Sequence, residues 1–142
     1  HEDVREELTK LLENNEDLHI VITARRARDD HSDRLRGRPM ELPALELVEA
    51  AWLFVARVKV RSISLADFPE RLHVHVRGER NEGIRARKLV EKALEELDPC
   101  GAMLRWPGVL ARVAKTTTES QSVYDSLSAE LRQQREQQQQ HR

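Results

Sequence analysis

The chain has 142 residues, of which 39% are hydrophobic, 24 are Lys or Arg and 25 are Asp or Glu, so its formal net charge is −1. Such a chain buries one modest core but hardly two, which predicts one domain with appendages. Cys100 is the only cysteine, which excludes a disulfide framework and a cysteine-based zinc site. No apolar run approaches the roughly 20 residues that cross a bilayer, so we expect no membrane among the partners.

The chain opens with a predicted helix and a predicted strand. Within residues 2–12, Val4, Leu8 and Leu11 recur at helical spacing. In residues 18–23 aliphatic side chains occupy every second position. We therefore expect a short amphipathic helix followed by a strand that is half buried on one face.

A basic turn and a second helix follow. Residues 25–35 mix Arg, Asp, Ser and His without periodicity and predict an exposed loop. The sequence Arg36-Gly37-Arg38 then places two guanidinium groups beside a flexible backbone, which suits contact with phosphate. A helix is predicted over residues 41–55. Its apolar stripe consists of Leu45, Val48, Trp52 and Val55.

Two further strands are predicted in residues 58–64 and 71–77, where apolar and polar side chains alternate. Their polar face carries Lys59, Arg61, His73, His75 and Arg77, and His19 of the first strand extends it. We therefore predict an α+β fold, an α/β two-layer sandwich in which two helices cover one face of a small mixed sheet. The predicted common core is Leu8, Leu18, Ile20, Ile22, Val48, Val58, Val60, Leu72, Val74 and Val76.

The remainder of the chain predicts a C-terminal helical extension. A helix over residues 83–97 would bury Ala86, Leu89, Val90, Ala93, Leu94 and Leu97. Its charges oppose the helix dipole, since Arg85, Arg87 and Lys88 lie near its start and glutamates near its end. Packing must offset this cost, and a phosphate near the first turn would help.

From residue 116 the chain is polar and ends in a glutamine run. Val123, Leu127 and Leu131 form a narrow apolar stripe, so a helix is possible there, and we expect it to fray without a partner. The predicted regions are therefore a folded domain in residues 1–80, a helical extension in 81–115 and a polar Gln-rich tail in 116–142.

The sequence carries no motif of a catalytic or cofactor site, neither a Gly-rich phosphate loop, nor His-Glu-x-x-His, nor a nucleophile elbow. We therefore predict that it is not an enzyme, needs no cofactor and takes no small-molecule substrate. Three imidazoles on one sheet face, those of His19, His73 and His75, could bind a metal. We favour ordinary polar residues of a sheet face and predict no metal site.

A sheet with helices on one side and Arg, Lys and His on the other is a layout that RNA-binding domains use, although a solvated sheet face is the alternative. The order of elements resembles the C-terminal domain of bacterial-type translation initiation factor three, a family with organellar members. That domain is similar in having a helix, a strand, an Arg-Gly-Arg turn, a second helix and two antiparallel strands, the last opened by an arginine. The stretch Leu12-Glu13-Asn14-Asn15-Glu16-Asp17 is also similar to the family's Leu-Glu-Glu-Gly-Asp turn.

The resemblance implies a translation initiation factor that binds the small ribosomal subunit, hinders premature joining of the large subunit and aids selection of the start codon and initiator tRNA. By position, Lys10, Arg36, Arg38 and Arg71 match basic residues of the family motif. The expected rRNA-binding residues are these four, with Lys59, Arg61 and Arg77 as a second set. We expect a mitochondrial location, and ribosomal proteins or assembly factors as partners of the C-terminal extension.

Two alternatives remain open. One is a KH-like RNA-binding module, since residues 15–20 and 70–74 resemble its late strand, although its Gly-x-x-Gly clamp is absent from the sequence. The other is a structural or assembly protein of an organellar small ribosomal subunit.

Overall fold

The secondary structure of the computed structural model, which describes residues 2–21 and 41–140, is helical. The α-helices are α1 (Glu2–Asn14), α2 (Leu47–Arg57), α3 (Glu70–His73), α4 (Glu82–Leu97), α5 (Pro107–Thr116) and α6 (Val123–Gln140). Short 3₁₀ helices occupy Leu65–Asp67 and Val74–Val76. No strand is formed in the two described ranges, so the predicted α+β sandwich with a mixed sheet is wrong.

The chain divides into two compact units, His1–Leu42 and Pro43–Arg142. In the first unit α1 confirms the predicted first helix, and its Val4 and Leu11 are exposed. The second unit contains α2 to α6 and the large core. Among the described helices, none combines the length and the apolarity that a membrane span needs.

The core of the second unit is built on α4, whose apolar stripe was predicted. Ala86, Leu89, Val90, Ala93 and Leu94 are buried, and Leu97 packs against them partly exposed. Asn81 caps the N-terminus of this helix, since its side chain accepts a hydrogen bond from the N–H of Ile84 at 3.1 Å. Helix α2 packs on it through Ala50, Ala51 and Phe54, and α5 and α6 complete the core.

Helices α2 and α4 run antiparallel. After α4 the chain folds back, because the carboxylate of Asp98 accepts a hydrogen bond from the N–H of Leu104 at 2.8 Å. Leu45, just before α2, donates its N–H to the carbonyl oxygen of Arg105 at 2.8 Å. The start of α2 therefore lies beside the end of α4.

The strand predicted for residues 71–77 is instead α3 followed by a 3₁₀ turn. Leu72 and Val76 are buried whereas Val74 is 49% exposed. Burial at positions four apart, with the middle one exposed, is the helical pattern, which alternation in a short segment imitates. The segment at 58–64 then has no strand to pair with and forms a connection without regular secondary structure that bends at residues 60–61, since a lone strand leaves its backbone groups unpaired.

The predicted strand and core fail for the same reason elsewhere. Residues 18–21 form no strand, and residues 22–23 and Ile22 lie outside the described residues. Of the predicted core, Leu72 and Val76 are buried, while Leu8, Ile20 and Val58 are half-buried. The exposed members are Leu18, Val48, Val60 and Val74. Without a sheet, Leu72, Val76 and Val58 pack into the helical core instead.

The stripe of Val123, Leu127 and Leu131 is buried in α6, which extends to Gln140. The helix that we expected to fray without a partner finds one in its own chain, since α6 packs on α4 and α5. The side-chain amide of Gln134 also donates to the carbonyl oxygen of Met103 at 2.9 Å.

A buried ion pair holds the connection between α2 and α3 against the start of α6. Arg61 donates to the carboxylate of Asp67 at 2.7 Å, and the Asp67 side chain is only 3% exposed. The same carboxylate accepts hydrogen bonds from the N–H groups of Ser64 at 2.8 Å and Val123 at 3.2 Å. Arg61 also donates to the carbonyl oxygen of Gln121 at 2.9 Å. The pair is thus hydrogen-bonded from two distant parts of the chain.

The protonation of Asp67 is set by two opposing effects. Burial alone would raise the pKa of its carboxyl, but the hydrogen bonds from Arg61, Ser64 and Val123 together outweigh burial, so the pKa lies below its ordinary value of 3.8. The hydrogen bond with Asp67 raises the pKa of Arg61 in turn. Both groups are therefore charged at neutral pH.

The turn after α4 depends on a glycine. Gly101 has φ +76°, and a Cβ at this position would collide with the guanidinium of Arg105. That guanidinium is held by a hydrogen bond to the carbonyl oxygen of Pro99 at 3.1 Å. Gly78, at φ +81°, and Gly108, in α5, have open space around the corresponding position.

We predict that Arg61→Ala lowers the free energy of unfolding by about 3–5 kcal/mol, because it leaves the buried carboxylate of Asp67 without its counter-charge. Lys59→Ala, which removes an exposed cation two residues away, should change it by less than about 0.5 kcal/mol. Urea unfolding followed by circular dichroism measures both. Equal, small effects would show that the ion pair is dispensable.

The depressed pKa of Asp67 predicts an acid-sensitive stability. The contribution of this carboxylate should be complete above its unfolded pKa of about 3.9 and disappear as the pH falls through the lower folded pKa. Asp67→Asn should therefore be less stable than the parent at pH 7, and the difference should shrink below about pH 4. Unfolding free energies from pH 7 to 2.5 test this, and a pH-independent difference would contradict it.

Substituting the three glycines by alanine should separate steric conflict from backbone strain. Gly101→Ala should cost about 2 kcal/mol or more, since it combines a left-handed backbone with displacement of Arg105. Gly78→Ala meets only the backbone strain and should cost about 1 kcal/mol. Gly108→Ala should be neutral or slightly stabilising in its helix. In thermal melts the melting temperature should therefore fall most for Gly101→Ala, less for Gly78→Ala and least for Gly108→Ala.

Candidate nucleic-acid interface

Cations from three segments converge at one end of the second unit. Trp52 of α2 lies beside Arg87 of α4, with the guanidinium carbon 5.7 Å from the centre of the ring. Arg57, the last residue of α2, is five residues beyond Trp52, and the first residue of α4 is five residues before Arg87, so each lies about 7.5 Å along its helix from this contact. Because the helices are antiparallel, the end of α2 therefore lies beside the first turn of α4. The residues directly after Arg57 and those directly before α4 are therefore attached to the same end of this helix pair, before the chain bends at residues 60–61. The basic end, as we call it, consists of Lys59, Arg77, Arg80, Arg85 and Lys88.

The turn into α4 is shaped by short local contacts. The left-handed Gly78 lets the N–H of Glu79 reach the carbonyl oxygen of Val76 at 3.1 Å. Lys88 then pairs with the carboxylate of Glu79 at 3.2 Å across the first turns of α4. Arg77 and Arg80 flank Glu79 in this turn, and both are exposed.

The cations of the basic end act on the neighbouring carboxylate of Glu79. The hydrogen bond from Lys88 holds the pKa of Glu79 below its ordinary value, and the N–H of Asn81 and the charge of Arg85 act in the same direction. Within the described residues, Lys88 is the member of the basic end that has a carboxylate partner. Lys59, Arg77, Arg80 and Arg85 form no ion pair with any described residue. Their charge is available to an external anion.

The seven residues predicted to bind RNA are distributed unevenly. Lys59 and Arg77 lie in the basic end and are exposed. Arg61 is held by Asp67 inside the second unit, so its donors are already used. Lys10 is exposed on α1 of the first unit, and Arg36 and Arg38 lie outside the described residues.

Arg71 belongs to an exposed cluster that links three helices. Its Nε and Nη2 donate to the carboxylate of Glu96 on α4 at 2.7 and 3.0 Å, and its guanidinium lies 5.6 Å from the ring centre of Tyr124 on α6. The hydroxyl of Tyr124 donates to Glu96 at 2.6 Å. The hydrogen bond from Arg71 lowers the pKa of Glu96, while burial and then the contact with Glu96 raise the pKa of Tyr124. Arg71 therefore fastens α3 to the bundle, and its bidentate face is occupied.

The predicted histidine face is not formed. The Nε2 of His73 is hydrogen-bonded to the carbonyl oxygens of Leu65 and Phe68 at 2.7 and 3.0 Å, whereas His75 is exposed. Over residues 2–21 and 41–140, no three His, Cys, Asp or Glu side chains are grouped as a metal site requires.

No family model, curated protein or solved structure matches the chain significantly.

The sequence pattern indicates only the part of the basic end that belongs to α4. Arg85 and Lys88 are recognisable as cations placed against the dipole of α4. Their association with Lys59 and Arg77 was missed, because the predicted sheet assigned those two residues to a different surface.

Proposed function

We propose that this chain binds the phosphate backbone of nucleic acid, RNA in the first instance, through the basic end. The observation that carries the proposal is the placement of Lys59, Arg77, Arg80 and Arg85 toward one end of α2 and α4, where none of them forms an ion pair with a described residue. The whole chain is close to neutral, so this local excess of positive charge is not a consequence of its composition. A phosphate at the start of α4 also offsets the charge arrangement that opposes the helix dipole.

The chemistry of the basic end favours the backbone over the bases. Its members are arginines and lysines on turns and helix starts, which suit phosphate oxygens, and none is an aromatic residue on which a base could stack. Binding should therefore depend strongly on salt and weakly on sequence.

The finer role rests on the resemblance given above. We keep as a proposal that the chain acts as an initiation factor on the small ribosomal subunit, with a mitochondrial location. The strands on which that resemblance depends are absent from the described residues, and the Arg-Gly-Arg turn lies outside them. A structural or assembly role in an organellar small subunit is the second proposal. Sucrose-gradient sedimentation separates the two, because an initiation factor leaves when subunits join whereas a structural component stays in the monosome.

We predict that the double variant Arg77→Ala/Arg80→Ala weakens RNA binding and lowers the salt slope by about one unit for each lost phosphate contact. The measurement is fluorescence anisotropy of the full chain with a labelled rRNA hairpin over a salt series. The matched control is Arg132→Ala/Arg135→Ala, which removes two exposed cations from α6 and should leave the slope unchanged. Circular dichroism confirms that both variants are folded.

Two outcomes would refute the assignment of RNA binding to the basic end. Equal weakening by both double variants would show that only total charge matters and would refute the assignment to the basic end. Unchanged affinity and slope in the test variant would refute it as well. A DNA hairpin of the same sequence and heparin, measured in parallel, distinguish RNA from other polyanions.

A further inference from the structure

The carboxylate of Glu79 lies among the cations of the basic end. Glu79 stands between Arg77 and Arg80 in the turn that leads into α4. Its Oε2 accepts a hydrogen bond from the Nζ of Lys88 at 3.2 Å, and its Oε1 accepts a hydrogen bond from the N–H of Asn81 at 3.4 Å. The protein itself therefore supplies an anion to one cation of the basic end.

The pair of Glu79 and Lys88 is partly open to solvent. The side chain of Glu79 is 25% exposed and that of Lys88 is 37% exposed. Ion pairs in contact with water contribute little to stability, because water screens the attraction and two side chains must be held in one geometry. Rotation of the Glu79 side chain would release Lys88, while the backbone of the turn stays fixed by the hydrogen bond from the N–H of Glu79 to the carbonyl oxygen of Val76.

Glu79 offers Lys88 the same chemistry as a phosphate does, namely oxygens that share a negative charge. The hydrogen bond from Lys88 lowers the pKa of Glu79, and the charge of Arg85 acts in the same direction. The carboxylate is therefore ionised at neutral pH, and it repels a phosphate that approaches the same cations. A phosphate must displace Glu79 before it can contact Lys88.

We infer that Glu79 is an internal competitor of the bound nucleic acid: its carboxylate occupies Lys88 in the free protein, and a phosphodiester displaces it on binding. The inference rests on the proposed function, because it concerns the regulation of the same basic end. The parent chain should then bind nucleic acid more weakly, and with a smaller salt dependence, than its cations alone would give. The contact that Lys88 gains is offset by the ion pair that it loses.

Replacing Glu79 by glutamine tests the competition. Glu79→Gln removes the charge and keeps an oxygen that can accept from the N–H of Asn81, so that Lys88 is free for phosphate. In fluorescence anisotropy of the full chain with the labelled rRNA hairpin, this variant should bind about fivefold to tenfold more tightly near about 0.1 M salt, with a salt slope larger by about one unit. Adding Lys88→Ala should return affinity and slope to about the parent values, because it removes the released cation.

The matched control is the ion pair of Lys92 and Glu95, further along α4. Its N–O distance is 3.3 Å and Lys92 is 37% exposed, so Glu95→Gln releases an equally accessible cation that is not part of the basic end. This variant should change affinity and slope little. A second control, Glu82→Gln, makes the same charge change in the first turn of α4 without releasing a cation, since Glu82 forms no ion pair with a described residue. It should strengthen binding less than Glu79→Gln does.

Thermal melts establish that every variant is folded. The inference is overturned, and the proposed function stands, if Arg77→Ala/Arg80→Ala weakens binding but Glu79→Gln binds no more tightly than the parent or than either control variant. A gain in Glu79→Gln that persists after Lys88→Ala is added also overturns it, because Lys88 would then not be the released cation. If neither the parent nor Glu79→Gln binds the hairpin, the proposed function fails and the inference fails with it.

Discussion

The arrangement of the second unit depends on the buried pair of Arg61 and Asp67. Desolvating two charges costs several kcal/mol per ion, and their attraction repays this only when the remaining hydrogen-bonding groups are also satisfied. Here they are, because the carboxylate receives two backbone N–H groups and the guanidinium reaches carbonyl oxygens of residues 118 and 121. A shifted register of α6 would remove the hydrogen bonds that Arg61 donates to residues 118 and 121 and that Asp67 accepts from Val123, while both charges stayed buried. The pair therefore selects one position for the connection after α2 and for the start of α6.

Helix α4 combines the strongest structural role with an unfavourable charge distribution. Its apolar face packs against α2, α3 and α6, which offsets the cost of placing cations at its start and glutamates at its end. One of those glutamates, Glu96, is used to fasten Arg71 and Tyr124. Among the cations at the other end, Arg87 pairs with Glu91 and Lys88 with Glu79, whereas Arg85 forms no ion pair with a described residue. A local rule is thus broken where a functional site is proposed, which is where such departures are expected.

Helical segments with long apolar stripes were predictable from the sequence, and short alternating segments were not. The stripe of α4 extends over four turns, so its period of 3.6 is unambiguous, whereas residues 71–77 contain too few positions to distinguish a period of 2 from burial at i and i+4. The wrong strand at residues 71–77 also made the strand predicted for residues 58–64 wrong, because a sheet needs paired strands. The ion pair of Arg61 lay beyond prediction for another reason. Its guanidinium bonds residues up to 60 positions away, and spacing carries no information about such contacts.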